Sequence, residues 1–353
     1  MILPPHAATA ASPWPQVPHG ADLARARRLY DAPAAGWLDL STGINPRPWP
    51  AAEAAARLGA AVWRDLPTPD AEVLAAFEAH YGAGAWPVPG SQAVIQALPR
   101  VWRRLHGSAR CRVLAPGYGE HAARWALEGH AVTLCEGHEL GEGEADVRVL
   151  ASPNNPTGER FDLPQLQALA ARCRLLVVDE AFLDAEAAAA SLACLALPNT
   201  LVLRSLGKFY GLAGLRVGAV LAAPHWLDAL RAEMGPWSVN GPGLQLAVAA
   251  LRDTGWQQDA RRWLAAASLQ LAGLLEAHGL HPTGSALFCT VRTPRARALH
   301  EGLAQRGIWT RLFDLQQPRP YQAMRIGLPA DEAGFERLEE ALAALRKEID
   351  PCE

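Results

Sequence analysis

Short apolar runs alternate with amphipathic stretches through the middle of the chain. Between residues 90 and 222 several runs are apolar at nearly every position, which indicates strands buried on both faces, as in parallel sheets. Strands are predicted at 111–115, 130–135, 146–150, 174–179, 200–205 and 216–222, and helices at 91–105, 119–129 and 163–172. Ser91 is expected to cap the first helix. Strands and helices that alternate with short connections predict a doubly wound α/β structure.

The pattern differs on both sides of this region. Before it we predict a helix over 22–30 that starts near Asp22, a strand from Trp37 to Leu40, and helices near 51–63 and 70–80. After it we predict helices at 256–278, 295–306 and 331–347, and strands at 286–292, 308–313 and 322–328. The change indicates a smaller α+β domain. We expect residues 1–50 to form an arm and part of the small domain, 51–250 the large domain, and 251–353 the rest of the small domain.

Composition excludes several classes of protein. The chain has 353 residues, a formal net charge of -3 and 50% hydrophobic residues, which is ordinary for a globular protein of about two domains. A general nucleic-acid binder would need a clustered basic surface. The six cysteines form no CxxC pair of the zinc type. The N-terminus lacks the basic start and apolar core of a signal peptide, and no apolar run is long enough for a membrane helix. We therefore expect a cytoplasmic enzyme.

The segment SLGKFYGLAGLRVG, residues 205–218, has the most specific chemistry. Lys208 follows a buried strand, and the carboxyl edge of an α/β sheet is where ligands bind. A lysine with a lowered pKa can form a Schiff base. Ser205 and Arg216 could hold a phosphate through a hydroxyl and a guanidinium fork. The alternative is a solvated turn with surface charges.

Two further segments follow strands. Asn155 lies in ASPNNPTG, residues 151–158, where turn formation alone would explain the composition. Asp179 ends the apolar run LLVVD and is either a helix cap or a buried carboxylate at a ligand site. Such a carboxylate could keep a pyridinium nitrogen protonated. We expect the neighbouring Glu180 to be structural.

Two weaker signals precede predicted helices. Gly90, Ser91 and Gln92 lie at a helix start, where free backbone N–H groups can bind an anion. Tyr118 in PGYGEH, residues 116–121, could stack on a flat ring. An ordinary helix start and ordinary packing are the alternatives.

Taken together and in this order, the segments resemble the pyridoxal-phosphate (PLP) enzymes of fold type I, the aspartate aminotransferase superfamily. The resemblance covers about residues 19–347. It implies that Lys208 is the Schiff-base lysine, that Asp179 contacts the pyridine nitrogen, and that Asn155 donates to the phenolic oxygen of PLP. It further implies that Tyr118 stacks on the PLP ring and that Arg325 binds the substrate carboxylate. The implied phosphate site consists of Gly90, Ser91, Gln92, Ser205 and Arg216.

The segments HGADLARARRLY (19–30) and WLDLSTGINPRPWP (37–50) resemble one branch of that superfamily, the L-threonine O-3-phosphate decarboxylases of cobalamin biosynthesis. The implied reaction yields (R)-1-amino-2-propanol O-2-phosphate, with Lys208 or water as proton donor. The resemblance places His19 and Gly43 near the substrate, although His19 could equally be a surface residue. It assigns the substrate phosphate to Arg311 and the α-carboxylate to Arg325.

The chain departs from related enzymes at two positions. Phe182 stands where histidinol-phosphate aminotransferases usually have a tyrosine that donates to PLP, and Leu66 stands where a partner-subunit tyrosine often contacts the PLP phosphate. Phe182 could also be plain packing. The family implies a homodimer, and with Leu66 at this position the PLP phosphate loses one donor from the partner subunit. A histidinol-phosphate-type aminotransferase and a non-catalytic PLP-binding pathway protein remain the alternatives.

Overall fold

The computed structural model describes residues 22–31, 34–186 and 190–349. Five short elements form its N-terminal part: α1 (Leu23–Leu29), β1 (Leu38–Asp39), α2 (Ala51–Ala55), α3 (Ala61–Arg64) and α4 (Ala71–Tyr81). Helix α1 begins next to Asp22 as predicted, and Asp22 caps it, since its carboxylate accepts a hydrogen bond of 3.0 Å from the backbone N–H of Arg25. The predicted substrate residue His19 lies outside the described residues.

A seven-stranded sheet forms the centre of the molecule. Its strands are β2 (Trp86–Val88), β3 (Arg110–Leu114), β4 (Ala131–Cys135), β5 (Val147–Ala151), β6 (Leu175–Asp179), β7 (Thr200–Ser205) and β8 (Gly218–Ala222). They lie in the order β2-β8-β7-β6-β5-β3-β4, and only β8 runs against the other six. The predicted α/β fold with a mostly parallel sheet is confirmed.

Helices cover both faces of this sheet. The helices between its strands are α5 (Ser91–His106), α6 (Glu120–Leu127) and α7 (Leu163–Ala170), and α8 (Pro224–Met234), α9 (Gly241–Arg252) and α10 (Thr254–Ala277) follow it. Successive strand residues face opposite sides. Val149 therefore belongs to an apolar cluster with Trp102 and Trp226, whereas Leu150 belongs to the cluster on the other face that contains α9 and α10 residues. These two cores hold the carboxyl ends of the strands in fixed positions.

A second, four-stranded sheet lies in the C-terminal part. It contains β9 (Pro282–Ser285), β10 (Phe288–Arg292), β12 (Arg311–Leu315) and β13 (Tyr321–Gly327) in the order β12-β13-β10-β9, all antiparallel. Helix α11 (Ala296–Gln305) precedes β11 (Ile308–Trp309), and α12 (Glu332–Ile349) ends the described chain. Strand β11 pairs in parallel with β1, so the N-terminal segment is attached to this part of the molecule.

Two helix predictions are corrected. The helix predicted over 51–63 is two short helices, α2 and α3, and Gly59 lies between them, where its low helix propensity favours a break. Ser91 does not cap α5: Gly90 is the N-cap residue, Ser91 is the first helical residue, and no side chain caps the helix.

Two strand predictions are also corrected. The strand predicted over 308–313 is divided at Thr310, because β11 pairs with β1 whereas β12 joins the four-stranded sheet. Arg216 lies before β8 rather than in it, with a left-handed backbone at φ 59° after a 3-10 turn. Among the described helices, none is long and apolar enough to span a membrane.

Candidate active site

The predicted site residues meet at one edge of the central sheet. Strands β2, β3, β5, β6 and β7 all end there, and the antiparallel β8 begins there. The segments that follow or precede these strand ends contribute Gly90, Ser91, Gln92, Tyr118, Asn155, Asp179, Ser205, Lys208 and Arg216, all of which line one cavity of about 150 Å³. The fold therefore brings together every residue that the sequence assigned to cofactor binding.

Lys208 is half-buried and lines both this cavity and a larger cleft beside it. Burial, with a smaller contribution from the nearby Arg325 guanidinium, lowers the pKa of Lys208 from 10.5 to about 8. Its Nζ lies 5.5 Å from the centroid of the Phe182 ring, which packs edge-on against Phe288. An amine in this environment is a nucleophile close to neutral pH and can also carry a proton.

Asp179 has a partner that the sequence analysis missed. Its Oδ2 lies 3.0 Å from Nε2 of His121, and its Oδ1 accepts a hydrogen bond of 3.0 Å from the backbone N–H of Ala181. Both the carboxylate and the imidazole are buried. In the sequence, His121 is marked only by its position in the same segment after β3 as Tyr118, and the two rings lie 5.9 Å apart.

One end of the cavity is suited to an anion. Gly90 has φ 74°, and a Cβ atom at this position would lie 2.9 Å from a terminal nitrogen of Arg216. Only glycine lets the guanidinium approach the start of α5, where the backbone N–H groups of the first turn lack helical partners. Ser205 is buried beside them, with its Oγ accepting from Gly207 N at 3.2 Å.

Gln92 and Tyr118 are bonded to each other. The Tyr118 hydroxyl donates to Gln92 Oε1 at 2.9 Å, and Gln92 Nε2 donates to Glu120 Oε2 at 2.7 Å. Burial, and to a smaller degree Glu120, raises the pKa of Tyr118 to about 12, so the hydroxyl keeps its proton and remains a donor. The chain of hydrogen bonds holds the Tyr118 ring at the wall of the cavity.

Arg325 connects three segments beside the cavity. It donates to Asn155 Oδ1 at 2.6 Å and to the Ser41 carbonyl oxygen at 2.6 Å. Because Asn155 Oδ1 accepts this bond, the amide Nδ2 is the group left to donate elsewhere. Burial, and then Arg311, lowers the pKa of Arg325 to about 9. Within the described structure, Arg325 Nε is buried without a hydrogen-bond partner.

A larger cleft of about 1070 Å³ opens from the cavity and shares Tyr118, Asn155, Lys208 and Arg216 with it. Gly43, Arg311 and Arg325 line this cleft. A Cβ at Gly43 would lie 2.9 Å from Phe288 and 3.0 Å from Phe182, so a larger residue would displace these rings. Arg311 and Arg325 are paired directly across β12 and β13.

The cleft is strongly cationic. Its lining includes six cationic side chains, Arg25, Lys208, Arg216, Arg297, Arg311 and Arg325, and two carboxylates, Asp22 and Asp314. Low-dielectric walls concentrate such a field and favour an anionic ligand.

Two residues named in the sequence analysis lie outside the site. Leu66 is 67% exposed and lines neither the cavity nor the cleft. Glu180 is buried and accepts from Ser191, Leu192 and Arg204, which fits the predicted structural role.

Comparison with known proteins identifies the class. The family model "Aminotransferase class I and II" matches residues 51–342, so the chain belongs to that family. The chain is 45% identical to threonine-phosphate decarboxylase of Pseudomonas aeruginosa, with 93% of this chain and 98% of that protein covered. It is 37% identical to threonine-phosphate decarboxylase of Sinorhizobium sp, again with 93% of this chain and 98% of that protein covered.

The fold is also that of solved aminotransferase structures. The crystal structure of histidinol-phosphate aminotransferase from Sinorhizobium meliloti in complex with pyridoxal-5'-phosphate superposes with a TM-score of 0.79 at 22% identity. The match covers 94% of this chain and 96% of that chain. This likeness confirms the predicted fold type I architecture.

Proposed function

We propose that this protein is a PLP-dependent enzyme that decarboxylates L-threonine O-3-phosphate to (R)-1-amino-2-propanol O-2-phosphate, as part of cobalamin biosynthesis. The observation that carries the proposal is the position of Lys208, which lines one cavity with Asp179 and also lines the cleft that contains Arg311 and Arg325. The 45% identity to a threonine-phosphate decarboxylase over nearly the whole chain supports this substrate.

The residues of the cavity fit PLP. Lys208 would bind its aldehyde carbon, and Asp179, oriented by His121, would hold the proton on its ring nitrogen. Arg216, Ser205 and the N–H groups at the start of α5 would bind its phosphate. When bound, PLP supplies an electron sink for the bond that breaks at the substrate Cα. Asn155 Nδ2, directed by the bond from Arg325 to Oδ1, would donate to the phenolic oxygen.

The arginines of the cleft would orient the substrate. L-Threonine O-3-phosphate has a carboxylate and a phosphate a few bonds apart, and two guanidinium forks on adjacent strands can fix both. We assign the carboxylate to Arg325 and the phosphate to Arg311. The bond that breaks at Cα is determined by how these groups are held, because only one substituent of Cα can be aligned for cleavage. Gly43 lets the Phe182 and Phe288 rings pack directly against the backbone of the cleft wall.

The experiment measures products. The PLP-loaded enzyme is incubated with L-threonine O-3-phosphate, and released CO₂ and aminopropanol phosphate are quantified. In parallel it receives histidinol phosphate and 2-oxoglutarate, and glutamate is measured. CO₂ release supports the proposal. Glutamate without CO₂ would make the chain an aminotransferase, and a loaded protein that forms neither product would be a binding protein only.

We also propose a homodimer, in which Leu66 faces the partner subunit. The support is an exposed apolar surface formed by Trp63, Leu66 and Trp237, which are 63%, 67% and 53% exposed. Trp63 and Leu66 belong to one segment, and the segment that contains Trp237 lies close to it in space, because a Cβ at Gly241 would lie 2.5 Å from the Val62 carbonyl oxygen and 3.8 Å from Pro67. Exposed apolar surface of this kind marks protein interfaces.

The domain division at residues 50 and 250 is part of the proposal. The pairing of β1 with β11 supports the assignment of the N-terminal segment to the small domain. A cytoplasmic location is likewise proposed, because Cys111, Cys135 and Cys289 are buried free thiols, as expected in a reducing compartment.

A further inference from the structure

Helix α1 is attached to the wall of the substrate cleft. Ala26 is fully buried in an apolar cluster with Ala304 and Trp309, and Leu23 and Tyr30 pack against the same cluster. The attachment fixes which face of α1 is turned to the protein. Asp22 and Arg25, one turn apart, line the cleft together with Arg311 and Arg325.

The guanidinium of Arg25 is close enough to act on other groups of the cleft. It contributes, after burial, to lowering the pKa of Arg311. It also contributes to lowering the pKa of His300 to about 4, for which burial is the largest cause. His300 is therefore neutral near pH 7, and its Nδ1 lies 2.8 Å from the Thr310 hydroxyl. The positive charge in this part of the cleft comes from the arginines.

The arginines of the cleft differ in their partners. Arg297 is bound to Asp314 at 2.7 Å and lies 3.8 Å from Glu301. Arg25 forms no ion pair with any residue of the described ranges, and the carboxylate of Asp22 accepts from its backbone N–H. Arg25 is exposed at the cleft, and Arg311 is half-buried. Like charges gathered in one cleft repel one another, and an anion of charge −2 reduces that repulsion.

We infer that Arg25 binds the substrate phosphate together with Arg311 and is a specificity-determining residue of this enzyme. The inference rests on the proposed function, in which Arg325 holds the carboxylate. A phosphate dianion has three acceptor oxygens, so guanidinium groups from two separate elements can bind it at once. Helix α1 thereby makes the affinity for the substrate depend on the phosphate, since an unphosphorylated amino acid leaves Arg25 without a ligand.

Steady-state kinetics of the PLP-loaded enzyme tests this inference. Arg25→Ala should raise KM for L-threonine O-3-phosphate roughly tenfold and leave kcat within about twofold, because the lost contact is to the bound substrate and not to the reacting bond. Arg25→Lys keeps the charge but loses the planar fork, so its KM should lie between those of the parent enzyme and Arg25→Ala. Arg27→Ala is the matched control. Arg27 is exposed on the same helix, about 200° around the axis, and does not line the cleft.

Binding of inorganic phosphate gives a second readout that does not require turnover. The thermal midpoint of the PLP-loaded parent enzyme should rise with phosphate concentration, and the apparent Kd should weaken several-fold in Arg25→Ala but not in Arg27→Ala. L-Threonine, which lacks the phosphate, should compete with substrate equally well in all variants.

The inference is overturned if Arg25→Ala retains the parent KM and the parent phosphate affinity, or if the parent shows no phosphate-dependent shift. Failure of the parent enzyme to release CO₂ would instead reject the proposed function, and the phosphate titration would still test the role of Arg25. An equal loss of affinity for substrate and phosphate in Arg27→Ala would also overturn it, because helix α1 would then contribute only general positive charge.

Discussion

At the scale of single residues, Lys208 has the property on which the proposed chemistry depends. Its pKa is lowered to about 8 mainly because burial disfavours the ammonium form. We expect Lys208→Ala to abolish turnover while the fold persists, as measured by CO₂ release and by thermal unfolding. Lys208→Arg should be equally inactive, because arginine stays protonated and cannot act as a nucleophile. More than a trace of activity in a folded variant would remove Lys208 from the mechanism.

The same lowered pKa gives a pH dependence. The rate at which the cofactor-free protein captures PLP should rise with pH and reach half its maximum near pH 8, as followed by visible absorbance.

The lowered pKa of Lys208 also makes the free energy of unfolding depend on pH. Between pH 8 and 10.5 the unfolded chain binds more protons at this lysine than the folded protein does, so the contribution to stability rises with pH across that window. Lys208→Met should remove this rise in thermal unfolding curves.

Asp179 and its neighbour Glu180 form a natural matched pair. Asp179→Asn should slow turnover by at least about tenfold, because an amide cannot hold a proton on the pyridine nitrogen and a buried charge-assisted bond is lost. Glu180→Gln should act differently. It weakens the buried ion pair with Arg204 at 2.9 Å, so we expect a lower Tm and nearly parental kcat. Kinetics and calorimetry on both variants separate the roles, and near-normal kcat in Asp179→Asn would show that this carboxylate is structural.

The site residues that the sequence predicts lie at strand ends, whereas the contacts that it does not predict join distant segments of the chain. Lys208 and Asn155 follow strand ends and Asp179 is the last residue of β6, and the order of strands and helices alone defines the carboxyl edge of a parallel sheet. The contact between His121 and Asp179 spans two different strand ends and has no local signature. The bond from Arg325 to Asn155 is similarly non-local, since it joins the two sheets.

At the scale of elements, β12 and β13 place Arg311 and Arg325 directly opposite each other. Like charges at such a pair are destabilising, which is consistent with a site for two anionic groups. Arg311→Ala should raise KM for L-threonine O-3-phosphate strongly, and Arg311→Lys less so, because lysine keeps the charge but loses the planar fork. Steady-state kinetics with both variants, with L-threonine remaining a poor substrate, tests the assignment. An unchanged KM would exclude Arg311 from the site.

Element boundaries show what hydrophobic patterns can and cannot predict. The apolar run of β8 correctly indicates a buried strand, but burial on both faces does not distinguish its antiparallel direction. The run over 308–313 is continuous in sequence, so its division at Thr310 depends on which sheet each half joins. Pairing partners, and not local preferences, determine these features.

At the scale of the whole molecule, the surface formed by Trp63, Leu66 and Trp237 should determine the oligomeric state. Light scattering coupled to size exclusion should give a dimer for the parent. Leu66→Glu should shift it toward monomer and reduce activity, because a charge would be buried at the interface. Leu127→Glu is the control, since Leu127 is also exposed and ends α6, beside the edge strand β4 at the far side of the sheet. A monomeric parent, or a Leu66→Glu variant that remains fully dimeric, would contradict the proposal.

The pairing of β1 with β11 has a consequence for synthesis. Leu38 meets Ile308 in this pair, and α1 rests on Trp309, so both contacts join segments at nearly opposite ends of the chain. The strands that surround Lys208 and Asp179 all lie before residue 223. Helices α9 and α10, which cover one face of these strands, end at Ala277. A nascent chain can therefore form the lysine pocket once α10 has emerged, whereas the arginine-lined cleft closes only after β11 has emerged.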